Sequence, residues 1–311
     1  MSDAIATEQL TKVYRTAWGR RSLRAVDGLD LRVPPGSVFG FLGPNGAGKT
    51  TTIMMLLGNV RPTSGRARVL GHPAGSVAAK SKLGFLPEKF QFHEFLTAEE
   101  FLDLHAQLAR IPLAQRARRI DETLELVGLA DRRKQRIRQF SKGMQQRIGL
   151  AQAILADPDL VILDEPTSAL DPLGRRQVRD VILDLKRRGK TVFLNSHLLS
   201  EVEMTCDEVA ILHRGRLLRQ GPISELTAPR ARVAIRLEQV APAYLEVMRR
   251  FGHVQSQDDH AVEIDLAKDS TTPDLVAALC AAGARVEAVL PHRESLEDLF
   301  VRLVSAEEPQ R

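Results

Sequence analysis

The sequence predicts an α/β fold: a mostly parallel sheet interrupted by a helical insertion and followed by a small second α/β domain. Three observations predict it. Val38–Gly43, Val161–Asp164 and Val192–Asn195 are short, continuous apolar runs, the pattern of parallel strands buried on both faces. Between Phe90 and Arg138 the chain turns polar, strongly charged and helical in spacing. Beyond Thr227, alternating apolar strands and helical stretches mark a further core.

The elements follow in order. Val38–Gly43 ends in a glycine-rich turn, and a helical pattern starts at Lys49. The helical insertion occupies about 90–156. Gly221-Pro222 marks a turn and the core ends near Thr227, so residues 1–227 and 228–311 are expected to be separate domains. In the second, Val233, Ile235 and Leu237 alternate as a strand, Ala241–Phe251 reads as a helix, and Val262, Ile264 and Leu266 alternate again. Thr272 is read as the N-cap of a helix with Pro273 in its first turn. Val286–Leu290 is a further strand, and Ser295 with Asp298 opens the last helix as a capping box. With His253–Gln255 as a short strand the order is βαββαβ plus a helix, a ferredoxin-like split βαβ pattern.

Composition excludes several classes. With 43% hydrophobic and 27% charged residues among 311, the chain is globular, of about two domains. Cys206 and Cys280 are far apart and outside any CxxC spacing, which argues against a zinc site or disulfide framework. The N-terminal segment lacks the basic-then-apolar pattern of a signal peptide. No apolar stretch reaches the roughly 18 residues of a membrane span. A net charge of +5 suits a solvated basic surface, and could also suit an anionic membrane surface or a nucleic acid.

Gly43-Pro44-Asn45-Gly46-Ala47-Gly48-Lys49-Thr50 fits G-x-x-x-x-G-K-[ST], the P-loop. The glycines let consecutive backbone N–H groups converge on phosphate oxygens, and the following helix aims its positive end there. Lys49 is expected to reach the terminal phosphates and the Thr50 hydroxyl to ligate Mg²⁺, with Thr51 beside it in the nucleotide-binding set. Asp164 and Glu165 close the buried run Leu160–Leu163. They are expected to hold Mg²⁺ and to polarise the attacking water, respectively.

Phe140-Ser141-Lys142-Gly143-Met144-Gln145 lies shortly before that run and resembles the signature motif of ABC ATPases, in the SKGM form of many bacterial export ATPases. Ser168–Asp171 is similar to the family's D-loop, His197 to its switch histidine, and Tyr14 to the aromatic that stacks on adenine. Glu88 stands where the family usually carries the Q-loop glutamine; its oxygens can still approach Mg²⁺ or water, beside the catalytic Glu165 and His197. The C-terminal domain, ending Glu294–Phe300, resembles the accessory domain of drug, antibiotic and lipid export ATPases.

The resemblance implies a P-loop NTPase core hydrolysing ATP with Mg²⁺. It implies a second ATP-binding subunit, whose γ-phosphate Ser141 and Gly143 would bind, and an integral-membrane permease that holds this chain at the cytoplasmic face. Export is the implied direction, with an importer ATPase as the alternative. No nucleic-acid partner is expected: ribosome-acting relatives carry two cassettes, and DNA-acting ones need a long coiled coil where this chain has about ninety residues. The basic run Arg132–Arg138 reads as a solvated face or a lipid contact. Trp18, in the basic stretch Arg15–Arg24, is placed on an extended hairpin near Tyr14 without a functional role.

Overall fold

The computed structural model describes residues 3–15, 22–168, 170–227, 232–267, 270–291 and 295–307; Trp18, Ala169 and Glu294 lie outside them. The chain divides into two compact units, Met1–Ile223 and Ser224–Arg311.

The first unit begins with β1 (Ile5–Arg15), β2 (Ser22–Val33) and β3 (Val38–Leu42), which leads into α1 (Lys49–Leu56). Then come β4 (Ser64–Val69), the two-residue β5 (His72–Pro73), α2 (Val77–Lys80) and β6 (Leu83–Leu86). The helical insertion follows as α3 (Ala98–Leu108), α4 (Leu113–Leu126) and α5 (Lys142–Ile154). The chain returns through β7 (Leu160–Asp164), α6 (Pro172–Arg187), β8 (Thr191–Asn195) and α7 (Leu199–Thr205). It closes with β9 (Glu208–His213) and β10 (Arg216–Pro222), and the short α8 (Ile223–Leu226) leads into the second unit.

The sheet that carries the site has the order β10-β9-β3-β8-β7-β6. Its members pair in parallel except for the β9–β10 hairpin. Every residue of β3, β7 and β8 is buried, which explains their unbroken apolar runs. A second, antiparallel sheet, β2-β1-β4-β5, contributes Ile5, Leu10, Leu29 and Leu31 to the same core as Phe39, Phe41 and Phe193. Beyond the β1–β2 hairpin, that sheet was not anticipated. Its strands carry many exposed polar residues, and the apolar alternation is broken by register shifts.

In the insertion, Thr97 and Glu100 form a capping box that starts α3. The basic run before α5 is only partly a solvated face. Arg133 bonds both oxygens of Glu99 (2.7 and 3.2 Å) and pairs with Asp121, while Ile137 is buried. Charge here ties α3 to α4.

The second unit contains β11 (Arg232–Leu237), α9 (Pro242–Phe251), β12 (Gly252–Gln257) and β13 (Ala261–Leu266). It continues with α10 (Thr272–Ala281), β14 (Val286–Pro291) and α11 (Leu296–Ala306). The antiparallel order β12-β13-β11-β14 is ferredoxin-like. Val233, Ile235, Leu237, Val262 and Ile264 meet Met248 of α9 and Leu275 and Leu279 of α10 in one core. The cap of α10 is Thr271, one residue before the threonine read from the sequence. Thr271 has extended backbone and its hydroxyl accepts from the Asp274 N–H, so Thr272 is already helical.

Candidate functional site

The site is built where the C-terminal ends of β3, β7 and β8 meet the following loops. From β3 the chain enters Gly43–Gly48 and then α1, which has no side-chain cap among the described residues. Its first N–H groups are thus left for an anion. Gly48 has φ +104°, and a Cβ there would stand 2.3 Å from the Ala25 carbonyl oxygen. Gly46 has φ +80° but open space beside it, so a large ligand can approach its backbone. The loop is braced from outside. The Gly215 N–H donates to the Ala47 carbonyl (2.9 Å), and the Asp27 N–H donates to that of Gly215 (2.8 Å).

Lys49 is 8% exposed, and its Nζ donates to the carbonyls of Gly43 (2.5 Å) and Pro44 (3.3 Å). Burial holds its ammonium below lysine's ordinary pKa, while the carboxylates of Glu165, Asp164 and Glu88 oppose that shift. Those three carboxylates therefore share Lys49's field. Thr50 is exposed at the first turn of α1, and Thr51 is half-buried beside it.

Asp164, 3% exposed, is the last residue of β7 and lies opposite Asn195 of β8. Burial raises its carboxyl pKa; the 2.5 Å hydrogen bond from Asn195 Nδ2 and the charge of Lys49 act against that, while Glu88 adds to it. Glu165 follows in the left-handed region at φ 54°, which costs about 1–2 kcal/mol for a residue with a Cβ. Its N–H donates to the Asn195 carbonyl (2.9 Å), and its Oε2 lies 2.6 Å from His197 Nδ1. The Ser168 hydroxyl donates to the Glu165 carbonyl, and Asp171 caps α6 through the Gly174 N–H.

The structure thus brings Lys49, Asp164, Glu165, His197 and Glu88 together. Tyr14 is 40% exposed, which removes it from the core, and it lines the same groove as the P-loop. Lys12 Nζ lies 5.1 Å from its ring centroid. That groove, about 390 Å³, is lined by Tyr14, Leu23, Arg24, Ala25 and Arg214 together with Asn45–Thr51. Ser141 and Gly143 are not part of its described lining. They sit at the start of α5, where the exposed Ser141 caps the helix by accepting from the Met144 N–H.

Sequence reasoning missed two residues. Arg214, in the β9–β10 turn, enters the groove only through the fold. Asn195 is the one polar side chain ending the buried run of β8, and that polarity was a usable signal.

A magnesium ion fits these residues. Among the described residues no cluster of three His, Cys, Asp or Glu side chains could hold a metal alone. Mg²⁺ typically needs only one or two protein ligands when phosphates supply others. Asp164 and Thr50 are such donors, and the buried Asn195 Oδ1 has no partner among the described residues. A buried acceptor left unpaired costs about 1–3 kcal/mol.

A strand, P-loop and helix beside a strand ending in two carboxylates define a P-loop nucleotide-binding protein. The chain belongs to the ABC transporter family, as an ATP-binding subunit: residues 26–168 match the family ABC transporter. It is 42% identical to an ABC transporter ATP-binding protein of Synechocystis, over 97% of this chain and 84% of that protein. It is 43% identical to the bacitracin transport ATP-binding protein BcrA of Bacillus licheniformis, covering 73% and 72% of the two chains. The daunorubicin/doxorubicin resistance ATP-binding protein DrrA of Streptomyces peucetius is 39% identical over 75% and 70%. Among solved structures, an ATP-binding subunit of an ABC transporter superposes with a TM-score of 0.64 at 30% identity, covering 72% of this chain and 91% of that one.

Proposed function

We propose that this subunit hydrolyses ATP to ADP and phosphate and thereby powers export through a separate membrane permease. The observation that carries it is the meeting of Lys49, Asp164 and the Glu165–His197 pair at adjoining strand ends. The backbone of Gly43, Pro44, Asn45, Gly46, Ala47 and Gly48 cradles the phosphates. Lys49 leaves its two carbonyls for the terminal phosphates, Thr51 contacts the nucleotide, and Tyr14 stacks on adenine. Bound Mg²⁺ would supply charge neutralisation on the phosphates, held by Thr50 and Asp164 with Glu88 beside it. Glu165 accepts the proton of the attacking water, and His197 orients Glu165 and meets the γ-phosphate.

Two such subunits sandwich two ATPs, Ser141 and Gly143 of one binding the γ-phosphate held by the other. The exposure of Ser141, away from its own P-loop groove, supports this. Residues 1–227, including the insertion at about 90–156, act as the motor, and 228–311 as an accessory domain.

An apolar groove of about 760 Å³ beside Glu88–Gln91, walled by Val77, Phe85, Pro87, Phe90 and Leu108, is the proposed seat of a cytoplasmic helix of the permease. Among the described residues no helix is long and apolar enough to cross a membrane, so the permease would hold the chain at the cytoplasmic face. The names of the bacitracin-transport and daunorubicin-resistance relatives support export. Copurification from native membranes, then ATP-driven transport in inverted vesicles, tests the proposal. Accumulation of the cargo inside those vesicles supports export; ATP-driven release, or a binding-protein-dependent permease as partner, overturns it.

A further inference from the structure

The strand beside Asp164 ends in a residue that hydrogen bonds tie to both Asp164 and Glu165. Asn195 is 2% exposed and closes β8. Its Nδ2 donates to Asp164 Oδ1 at 2.5 Å, and its carbonyl accepts from the Glu165 N–H at 2.9 Å. Its Oδ1 is buried with no partner among the described residues. An ionised carboxylate only accepts hydrogen bonds, so the amide must present nitrogen to Asp164 and turn its oxygen away. An apolar residue would suit a wholly buried strand better. With Oδ1 unpaired, asparagine here costs stability, and what its amide gains in return is the bond to Asp164.

We infer that Asn195 is a positioning residue for the magnesium of the nucleotide complex, aligning Asp164 through the hydrogen bond from its Nδ2. One oxygen of Asp164 is engaged by the amide and the other is left for the ion or its water. Residues that orient a metal ligand typically contribute 10–100-fold to metal affinity. The inference rests on the reading of Asp164 as a magnesium ligand.

The test compares ATP affinity in Mg²⁺ and in EDTA for wild type, Asn195→Leu and Asn195→Val, by fluorescent-nucleotide titration of full-length protein. Leucine keeps the branching and the number of heavy atoms and valine favours the strand, so either variant that retains the wild-type circular dichroism decides the result. Wild type should bind more tightly with Mg²⁺; without that gain, the reading of Asp164 itself fails. The expected result is a Mg²⁺-dependent gain reduced by about tenfold or more in the variants, with EDTA affinity within about twofold of wild type. An undiminished gain in a folded variant overturns the inference. So does an equal loss with and without metal, which indicates a structural role alone.

Discussion

His197 Nδ1 lies 2.6 Å from Glu165 Oε2, and the His197 backbone N–H reaches the same oxygen at 3.4 Å. One carboxylate oxygen is held from two sides, and Oε1 is the one His197 leaves free to meet a water. An ionised Glu165 can only accept, so Nδ1 must carry the proton of that bond. Nε2 can donate to a phosphate only if the ring is doubly protonated.

Replacing His197 by alanine should therefore lower the turnover number more than it raises KM. Misplacing a catalytic group by about 1 Å can cost on the order of 10²-fold. Steady-state ATPase kinetics check this; unchanged turnover would detach His197 from Glu165's task.

Lys49→Ala should abolish measurable turnover and weaken ATP binding by roughly 10–100-fold, the equivalent of about 1.5–3 kcal/mol for a charged hydrogen bond. The same change removes a buried cation from beside three carboxylates, so melting of the folded protein should be recorded alongside the titration. Near-normal turnover would sink the phosphate-binding assignment.

Tyr14→Ala should weaken ATP affinity by about 1–3 kcal/mol, the usual worth of stacking a base on an aromatic ring. Turnover at saturating ATP should change less. Because Tyr14 is half-exposed, little stability should be lost; unaltered affinity would remove it from the nucleotide site.

Gly48→Ala should destabilise the protein and impair nucleotide binding more than Gly46→Ala. Both positions have positive φ, which costs about 1–2 kcal/mol with a Cβ. Only at Gly48 does the added carbon also strike a carbonyl oxygen, 2.3 Å away. Thermal denaturation of the two variants provides the comparison, and equal midpoints would contradict it.

The P-loop, the buried strands and the helical insertion were legible because each is written in consecutive residues. A glycine run followed by Lys-Thr, or five apolar residues in a row, needs no knowledge of what lies opposite. The antiparallel β2-β1-β4-β5 sheet was less legible because its bulged strands mix exposed and buried positions irregularly. Thr271 and Thr272 are adjacent threonines, and only the hydroxyl bond to Asp274 tells which one caps. Asn195 and Arg214 owe their places to partners far along the chain. The amide of Asn195 meets Asp164 across 31 residues because β7 and β8 pair in parallel register. Arg214 reaches the groove because the Gly215 turn is tied to Ala47.

The most direct test of the account is ATP turnover by Glu165→Gln, measured beside its ATP affinity. Glutamine keeps the size and can hydrogen-bond water, yet cannot take a proton at neutral pH. Positioned general-base catalysis supplies about 10²–10⁴-fold, so turnover should fall by that order. Affinity should remain, because Lys49, Thr50 and Asp164 are untouched. Wild-type turnover in this variant would show that Glu165 is not the base and would contradict the mechanism.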